Sequence, residues 1–283
     1  MMKFKKISSH AKINISLNLI KKLSSGYHQI ETITTFLKLE DHIFIKPINK
    51  NNHKIIFIGK FSDEISKKNT ITKLLDILDK EKKLNNKKFY IKIKKNIPCK
   101  AGLGGGSINA GSILKYFSEN NIINYDKKNL IRISNLIGSD VIFGIQSKKL
   151  ILLSKNKIYR SKKKLNYYVV LIKPSFGCSS KEIYQNVNSY SNSTFLLKYF
   201  KKLETKVLKN MQNDLEISAF KIYPALAKIK NFMLKIKRIK FARMTGSGST
   251  MIGYFKRKKD AQNAQKLLKK KYKNYWCILS KTI

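Results

Sequence analysis

Pro98-Cys99-Lys100-Ala101-Gly102-Leu103-Gly104-Gly105-Gly106-Ser107-Ile108-Asn109 is the stretch on which the reading of this 283-residue chain turns. It sets four glycines within five residues, between a segment with strand alternation and one with helical spacing. Without a Cβ, glycine lets backbone N–H groups close around a ligand. A helix beginning directly after such a loop adds unpaired N–H donors and the positive end of its dipole, which suits a phosphate. A tight turn explains the glycines too, so the cluster alone leaves phosphate seat and plain turn both open.

Just upstream of the loop, Phe89, Ile91 and Ile93 alternate with Tyr90, Lys92 and Lys94, the pattern of a half-buried strand. Downstream, Ile108, Gly111, Leu114 and Phe117 share one face of a packed helix. A second helix over 126–137 has Asp126 at its N-cap and stops at Gly138. Before the loop, the spacing predicts strands at 12–19, 30–37 and 42–47 and a helix over 69–84 with Ile71, Leu74, Leu75 and Leu78 inward.

Lysine-rich turns at 155–164 make the best domain boundary, giving halves at 1–155 and 156–283. The second half predicts a strand at 167–172, helices near 195–209 and 224–237, and a strand ending at Met244. A second small-residue loop follows, Thr245-Gly246-Ser247-Gly248-Ser249. A strand at 251–255, a helix facing inward through Ala261, Ala264 and Leu268, and a strand at 276–279 close the chain. Strands and helices mixed without regular βαβ alternation indicate an α+β fold in two halves.

Composition bounds the function. A hydrophobic content of 42% argues against disorder, and no apolar run approaches the roughly 18 residues of a membrane span. The basic N-terminus is followed by His10, Lys12, Asn14 and Asn18, so no signal-peptide core is present. Cys99, Cys178 and Cys277 are odd in number and widely spaced, which indicates reduced thiols in a cytoplasmic protein.

A net charge of +44 would by itself indicate a polyanion partner. Yet only five of the 60 cations are Arg, the side chain best suited to bidentate recognition of phosphates and bases. The lysines run from end to end among abundant Asn and Ile, as compositional drift in an AT-rich genome would produce. No basic stripe with interleaved aromatics stands out, so no nucleic-acid partner is expected and no membrane partner either. An RNA-binding protein that kept the fold and lost catalysis is the rival from another class.

The familiar nucleotide signatures fail. Gly106 is followed by Ser107-Ile108, with no Gly-Lys-Ser/Thr of a Walker A loop. A dinucleotide fingerprint starting at Gly102 would need glycine at 107. The His-Arg-Asp and Asp-Phe-Gly signatures of protein kinases are absent.

The run from Pro98 to Ala110 does resemble the phosphate loop of the GHMP kinases, a superfamily of small-molecule kinases. The segments Ala11-Lys12-Ile13-Asn14 with Gly26-Tyr27-His28, and Leu136-Ile137-Gly138-Ser139-Asp140-Val141, resemble the branch acting on a cytidine-diphosphate derivative of methylerythritol, in non-mevalonate isoprenoid synthesis. Met244-Thr245-Gly246-Ser247-Gly248-Ser249 resembles the third superfamily motif, and Gln212-Asn213-Asp214-Leu215-Glu216 is also similar. The similarity thus runs in order along nearly the whole chain. It implies an N-terminal half like domain 2 of ribosomal protein S5 and a ferredoxin-like C-terminal half. Lys100, Ala101 and Ile108 depart from the family's usual small residues, while Ser107, the hydroxyl nearer the phosphates, is present.

The resemblance also implies roles. ATP would sit on Pro98, Gly102, Leu103, Gly104, Gly105, Gly106, Ser107 and Asn109, with Lys95 reaching it from the preceding strand. Asp140 would take the proton of the substrate's 2-hydroxyl, with Lys12 holding that carboxylate ionised and stabilising the phosphoryl group. Read from its surroundings alone, Asp140 serves equally as the N-cap of a following helix. Asn14 lies two residues from Lys12 on the same strand face and would hydrogen-bond the substrate. Tyr27, His28 and Tyr184 would form a cytosine pocket. Thr245, Gly246, Ser247 and Gly248 would offer N–H donors to the diphosphate or the transferred phosphate. Mg²⁺ would arrive with ATP; no carboxylate cage marks a metal site, and no protein ligand is assigned. A monomer or weak dimer is expected. Another GHMP kinase, acting on homoserine or mevalonate, is the nearest rival, and it would not need the cytosine pocket.

Overall fold

The structure is a computed structural model that describes residues 3–24, 26–146, 150–154, 157–161, 164–192, 200 and 203–283. Its residues gather into two compact units, neither of them contiguous in sequence. The first takes the described residues within Met1–Ala11, Leu39–Cys99 and Gly104–Ser147, and the second those within Lys12–Lys38, Lys100–Leu103 and Lys148–Ile283. These differ from contiguous halves at 1–155 and 156–283, because two long strands, β1 (Lys5–Lys22) and β2 (His28–Ile48), contribute to both units.

Strand β2 is one element where two strands, 30–37 and 42–47, are read from the sequence. Nothing between them breaks a strand: Lys38-Leu39-Glu40-Asp41 holds neither Gly nor Pro.

In the first unit, the later part of β2 pairs antiparallel with β4 (Lys88–Lys94), Ile43 opposite Ile93 and Ile45 opposite Ile91. An unforeseen strand β3 (Lys54–Ile58) runs parallel to β4. Helices α1 (Thr70–Lys80), α2 (Gly105–Glu119) and α3 (Lys127–Ile137) supply the other side of the core. Leu74, Leu75, Leu78, Ile113, Leu114 and Phe117 pack there against Ile91 and Ile93. The Asn69 side chain caps α1 and Asp126 caps α3, each accepting from backbone N–H groups of the first turn.

A short helix α4 (Val141–Gln146) lies against α2 at Gly111 and Gly144. A Cβ on Gly144 would stand 2.6 Å from the Ile108 carbonyl and 2.8 Å from the Gly111 Cα, so only glycine permits this approach. The hydrophobic run Val141-Ile142-Phe143 is mostly buried by the same packing.

In the second unit, the hairpin β5 (Leu150–Ser154) and β6 (Lys157–Ser161) pairs with the first part of β2, Thr32 opposite Leu153. Strand β6 falls within the lysine-rich stretch, 155–164, that reads as turns. Lys157 and Arg160 are exposed, so their charge does not oppose strand formation.

A separate four-stranded antiparallel sheet has β10 (Trp276–Lys281), β7 (Tyr168–Lys173), β9 (Met251–Phe255) and β8 (Phe241–Met244) in that spatial order. Its helices are α5 (Ser180–Gln185), α6 (Thr205–Asn210), α7 (Leu215–Ile222), α8 (Pro224–Leu234) and α9 (Lys258–Lys271). Ala261, Ala264 and Leu268 of α9 are buried, as their spacing predicts. Of the helix expected near 195–209, residues 195–199 and 201–202 lie outside the described residues. Helices α5 and α7, six and eight residues long, escape the periodicity reading because such short spans hold about two turns at most. Among the described residues no helix is long and apolar enough to cross a membrane.

Candidate active site

In the first unit, the end of β4 and the start of α2 meet at a buried carboxylate. Phe89, Ile91 and Ile93 point inward, and the same period of two carries Lys95 inward after them. Its ammonium donates to Asp41 Oδ2. Asp41 also accepts from Asn109 Nδ2 at 3.0 Å, Asn96 N at 2.7 Å and Ile97 N at 2.9 Å. A buried charge is tolerable when its lone pairs are filled in this way.

A Cβ on Gly105 would lie 3.4 Å from the Lys95 Nζ and 3.0 Å from an Ile97 methyl. The glycine loop therefore rests directly on this ion pair. Sequence reasoning did not single out Asp41, although it continues the inward series of Ile43 and Ile45; a strand start set at 42 excluded it by one residue.

Gly104, with φ +69°, makes the turn into α2, and among the described residues no side chain caps that helix. The first N–H groups of α2 are thus left to water or a ligand. Thr70, the first residue of α1, donates its hydroxyl to the Gly106 carbonyl at 2.8 Å and ties the loop down from the other side. Pro98 and Asn109 are buried, Ser107 is half-buried and Gly106 is exposed. The Oδ1 of Asn109 is buried and has no hydrogen-bond partner among the described residues.

Asp140 is half-buried in the turn between α3 and α4, where the Val141 N–H donates to the Gly138 carbonyl and the Phe143 N–H to the Asp140 carbonyl. A Cβ on Gly138 would come within 3.8 Å of the Ser107 hydroxyl, so this turn runs beside the first turn of α2. The resemblance pairs Asp140 with Lys12, and these two side chains belong to different compact units.

In the second unit, β1 is buried on both faces. Ile13, Ile15, Leu17 and Leu19 face one side and Lys12, Asn14, Ser16 and Asn18 the other. The Lys12 ammonium donates to Asn14 Oδ1 at 2.8 Å. Asn14 Nδ2 donates to the Thr32 hydroxyl at 2.8 Å, and Asn14 N to the Thr245 hydroxyl at 3.0 Å.

The Thr245 hydroxyl in turn donates to the Gly102 carbonyl at 3.2 Å, and the Lys12 N–H to the Leu103 carbonyl at 3.1 Å. Gly102, at φ +71°, packs so closely that a Cβ would overlap the Thr245 carbonyl. A Cβ on Gly246 would lie 3.5 Å from the Lys12 Nζ, so that ammonium sits over the 245–248 turn. The Gly248 N–H closes the turn on the Thr245 carbonyl at 3.0 Å, and the Ser247 hydroxyl pairs with that of Ser180 at 2.6 Å. Three stretches far apart in sequence, 12–14, 102–103 and 245–248, thus come together.

The aromatic residues form a second cluster in this unit. The His28 ring lies 5.1 Å from that of Tyr184 and 6.1 Å from that of Tyr190, nearly parallel to the latter. Tyr27 is 77% exposed. Burial, and then the nearby Lys22 charge, hold the His28 pKa below its ordinary 6.5. Tyr190 was not foreseen; it stands in a polar run, Asn188-Ser189-Tyr190-Ser191, that carries no periodicity.

No group of three or more His, Cys, Asp or Glu suited to a metal ion is found among the described residues. Magnesium bound with a nucleoside triphosphate does not need such a group, since phosphate oxygens and water fill most of its shell.

The chain matches two family patterns, "GHMP kinases N terminal domain" over residues 69–148 and "GHMP kinases C terminal" over 196–274. It is 49% identical over 278 residues, 98% of its length and 99% of the relative's, to a 4-diphosphocytidyl-2-C-methyl-D-erythritol kinase of Pelagibacter ubique. A kinase of the same description from Fusobacterium nucleatum is 32% identical, covering 98% of this chain and 97% of the relative. A crystal structure of a 4-(cytidine 5'-diphospho)-2C-methyl-D-erythritol kinase superposes with a TM-score of 0.75 at 20% identity, covering 98% of this chain and 99% of that one. Homoserine kinase from Cytophaga hutchinsonii gives 0.73 at 15% identity over 100% and 95%. At such low identity the two structures show a shared fold.

Proposed function

The chain belongs to the GHMP kinases, and within them to the 4-diphosphocytidyl-2-C-methyl-D-erythritol kinases, and on that premise we propose how its own side chains carry the transfer of a phosphoryl group from ATP to the substrate's 2-hydroxyl. The reaction is a step of the non-mevalonate route to isoprenoid precursors. One observation carries the proposal: Lys12, Asn14, Gly102 and the 245–248 turn converge in a single unit through direct hydrogen bonds and close packing.

Phosphoryl transfer needs its charge neutralised, an in-line hydroxyl and an acceptor for the proton. The Lys12 ammonium, held by Asn14 and poised over Gly246, supplies fixed positive charge toward the phosphoryl group. Asp140 takes the proton of the attacking hydroxyl, and the half-burial of its turn is consistent with a base that substrate can reach. N–H groups of the 245–248 turn receive phosphate oxygens. The N–H groups of Gly105, Gly106 and Ser107 receive those of ATP, with Pro98, Leu103, Gly104 and Asn109 shaping the seat. Lys95 acts on this seat from beneath, through Asp41, and not by reaching out to the nucleotide. Magnesium entering with ATP neutralises the triphosphate when bound.

The cytosine end is assigned to Tyr27, His28 and Tyr184. A ring stacked on an aromatic side chain gains about 1–3 kcal/mol. Neutral His28 can donate from one ring nitrogen and accept at the other, matching a base edge.

ADP release with the cytidine diphosphate substrate, compared with its monophosphate analogue, homoserine and no acceptor, tests the reading. Turnover confined to the diphosphate substrate supports it. Turnover of homoserine with none of the cytidine compound overturns it.

A further inference from the structure

The segment Gln212-Asn213-Asp214 takes no part in the proposed chemistry, yet it touches both clusters of the second unit. Its backbone lies along β1: the Leu17 N–H donates to the Gln212 carbonyl at 3.0 Å and the Asp214 N–H to the Leu17 carbonyl at 2.8 Å. Side chains 213 and 214 then reach to different places.

Asn213 is buried, and its Nδ2 donates to the Met244 carbonyl at 2.9 Å and the Gly246 carbonyl at 2.8 Å. Its Oδ1 accepts from the Leu215 N–H at 3.1 Å, at the start of α7. One amide thereby grips the carbonyls on either side of Thr245, at the entry of the 245–248 turn, and sets where that turn's N–H groups point.

Asp214 accepts at Oδ2 from the Leu19 N–H at 2.7 Å and from the Ser191 hydroxyl at 2.8 Å, and at Oδ1 from Gln212 Nε2 at 2.8 Å. The Ser191 N–H also donates to the Leu19 carbonyl at 2.7 Å. Ser191 is therefore pinned twice, and its neighbour Tyr190 is the residue stacked on His28. Hydrogen bonds to a carboxylate are stronger than neutral ones, so this anchor is a firm one.

We propose that Asn213 and Asp214 are positioning residues that hold the phosphate turn and the base-binding rings at a set spacing. Asn213 acts on the transfer step through the 245–248 turn, and Asp214 acts on recognition of the cytidine moiety through Ser191, Tyr190 and His28. The inference rests on the assignment of those two clusters to the substrate. Two adjacent residues of one segment then have separable kinetic signatures, which a purely structural role would not produce.

The variants Asn213→Ser and Asp214→Asn test it. Serine keeps an acceptor for the Leu215 N–H but is too short to reach the two carbonyls, so the start of α7 survives while the turn is released. Misplacement on the ångström scale costs up to about 100-fold in rate, so Asn213→Ser is expected to lower kcat about tenfold or more with KM for the cytidine substrate within about threefold. Asp214→Asn is expected to raise that KM about fivefold with kcat within about twofold. Titration with cytidine 5'-monophosphate, which lacks the reacting hydroxyl, should show weakened binding in Asp214→Asn and unchanged binding in Asn213→Ser. Melting curves establish that both variants are folded at the assay temperature. If both lose kcat and KM together, or neither changes, the inference is overturned while wild-type turnover leaves the proposed function standing. A wild type that neither binds the monophosphate nor turns over the substrate overturns both.

Discussion

Asp41 and Lys95 form an ion pair, 0% and 1% exposed, on which the glycine loop rests. Two backbone N–H groups and the Asn109 amide complete the carboxylate's shell. The pair joins the strand before the loop to the helix after it, which makes the loop a braced element of the fold.

Breaking this pair from one side should be costly. Removing one partner of a buried pair leaves an uncompensated charge and costs about 3–5 kcal/mol. Asp41→Ala and Lys95→Met are each expected to lower the free energy of unfolding in urea by that order. In the double variant the losses should add to less than their sum, since no lone charge remains. Strict additivity would show that the two groups do not act as a pair.

Asp140→Asn should abolish phosphoryl transfer and leave ATP binding and the melting temperature nearly unchanged. A general base contributes about 10²–10⁴-fold in rate, and asparagine can still occupy the first position before α4. Single-turnover measurement with saturating ATP reads the chemical step alone. Near-normal turnover would reduce Asp140 to a helix cap.

Gly102 and Gly26 both adopt positive φ, +71° and +81°, but only Gly102 has backbone where a Cβ would stand. Alanine in the left-handed region costs about 1–2 kcal/mol. Gly26→Ala should show that cost alone in thermal unfolding. Gly102→Ala should exceed it and also depress kcat/KM, because the clash with the Thr245 carbonyl shifts the turn near Lys12. Equal destabilisation by the two changes would mean that the close approach at Gly102 is relaxed in solution.

The His28 pKa lies below 6.5 in the folded chain, chiefly through burial. As pH falls below 6.5 the unfolded chain takes up a proton before the folded one, so stability declines through that window and is unaffected above it. Protonation also removes the imidazole's acceptor, so KM for the cytidine substrate should rise as pH falls through the lowered pKa. Measured between pH 5 and 8, the rise should vanish in His28→Gln. A KM that stays flat in the wild type would detach His28 from base recognition.

The local elements were readable where the pattern is strong. The strand before the glycine loop, helices α1 and α3, and the inward face of α9 follow from periodicity and capping residues in their own segments. Strand β3, the hairpin β5–β6 and helices α5 and α7 did not show. They are short, and in the hairpin exposed Lys and Arg mask the alternation. The resemblance names Lys95 as reaching ATP, and its inward position follows only once its strand is counted through to the end.

The sequence by itself determined the motifs, and through them the family: the glycine loop, Ala-Lys-Ile-Asn, Gly-Tyr-His, and the small-residue loop at 245–249. Only the tertiary structure decided that Thr245 hydrogen-bonds Asn14 and the Gly102 carbonyl, that Asp41 lies under the loop, that Tyr190 stacks on His28, and that Asn213 and Asp214 reach two clusters at once. Periodicity reports which side of an element is buried but not what it is buried against. That information lies in contacts between residues far apart in sequence, such as Asn14 and Thr245, separated by 231 positions, and only the folded chain brings them within hydrogen-bond range.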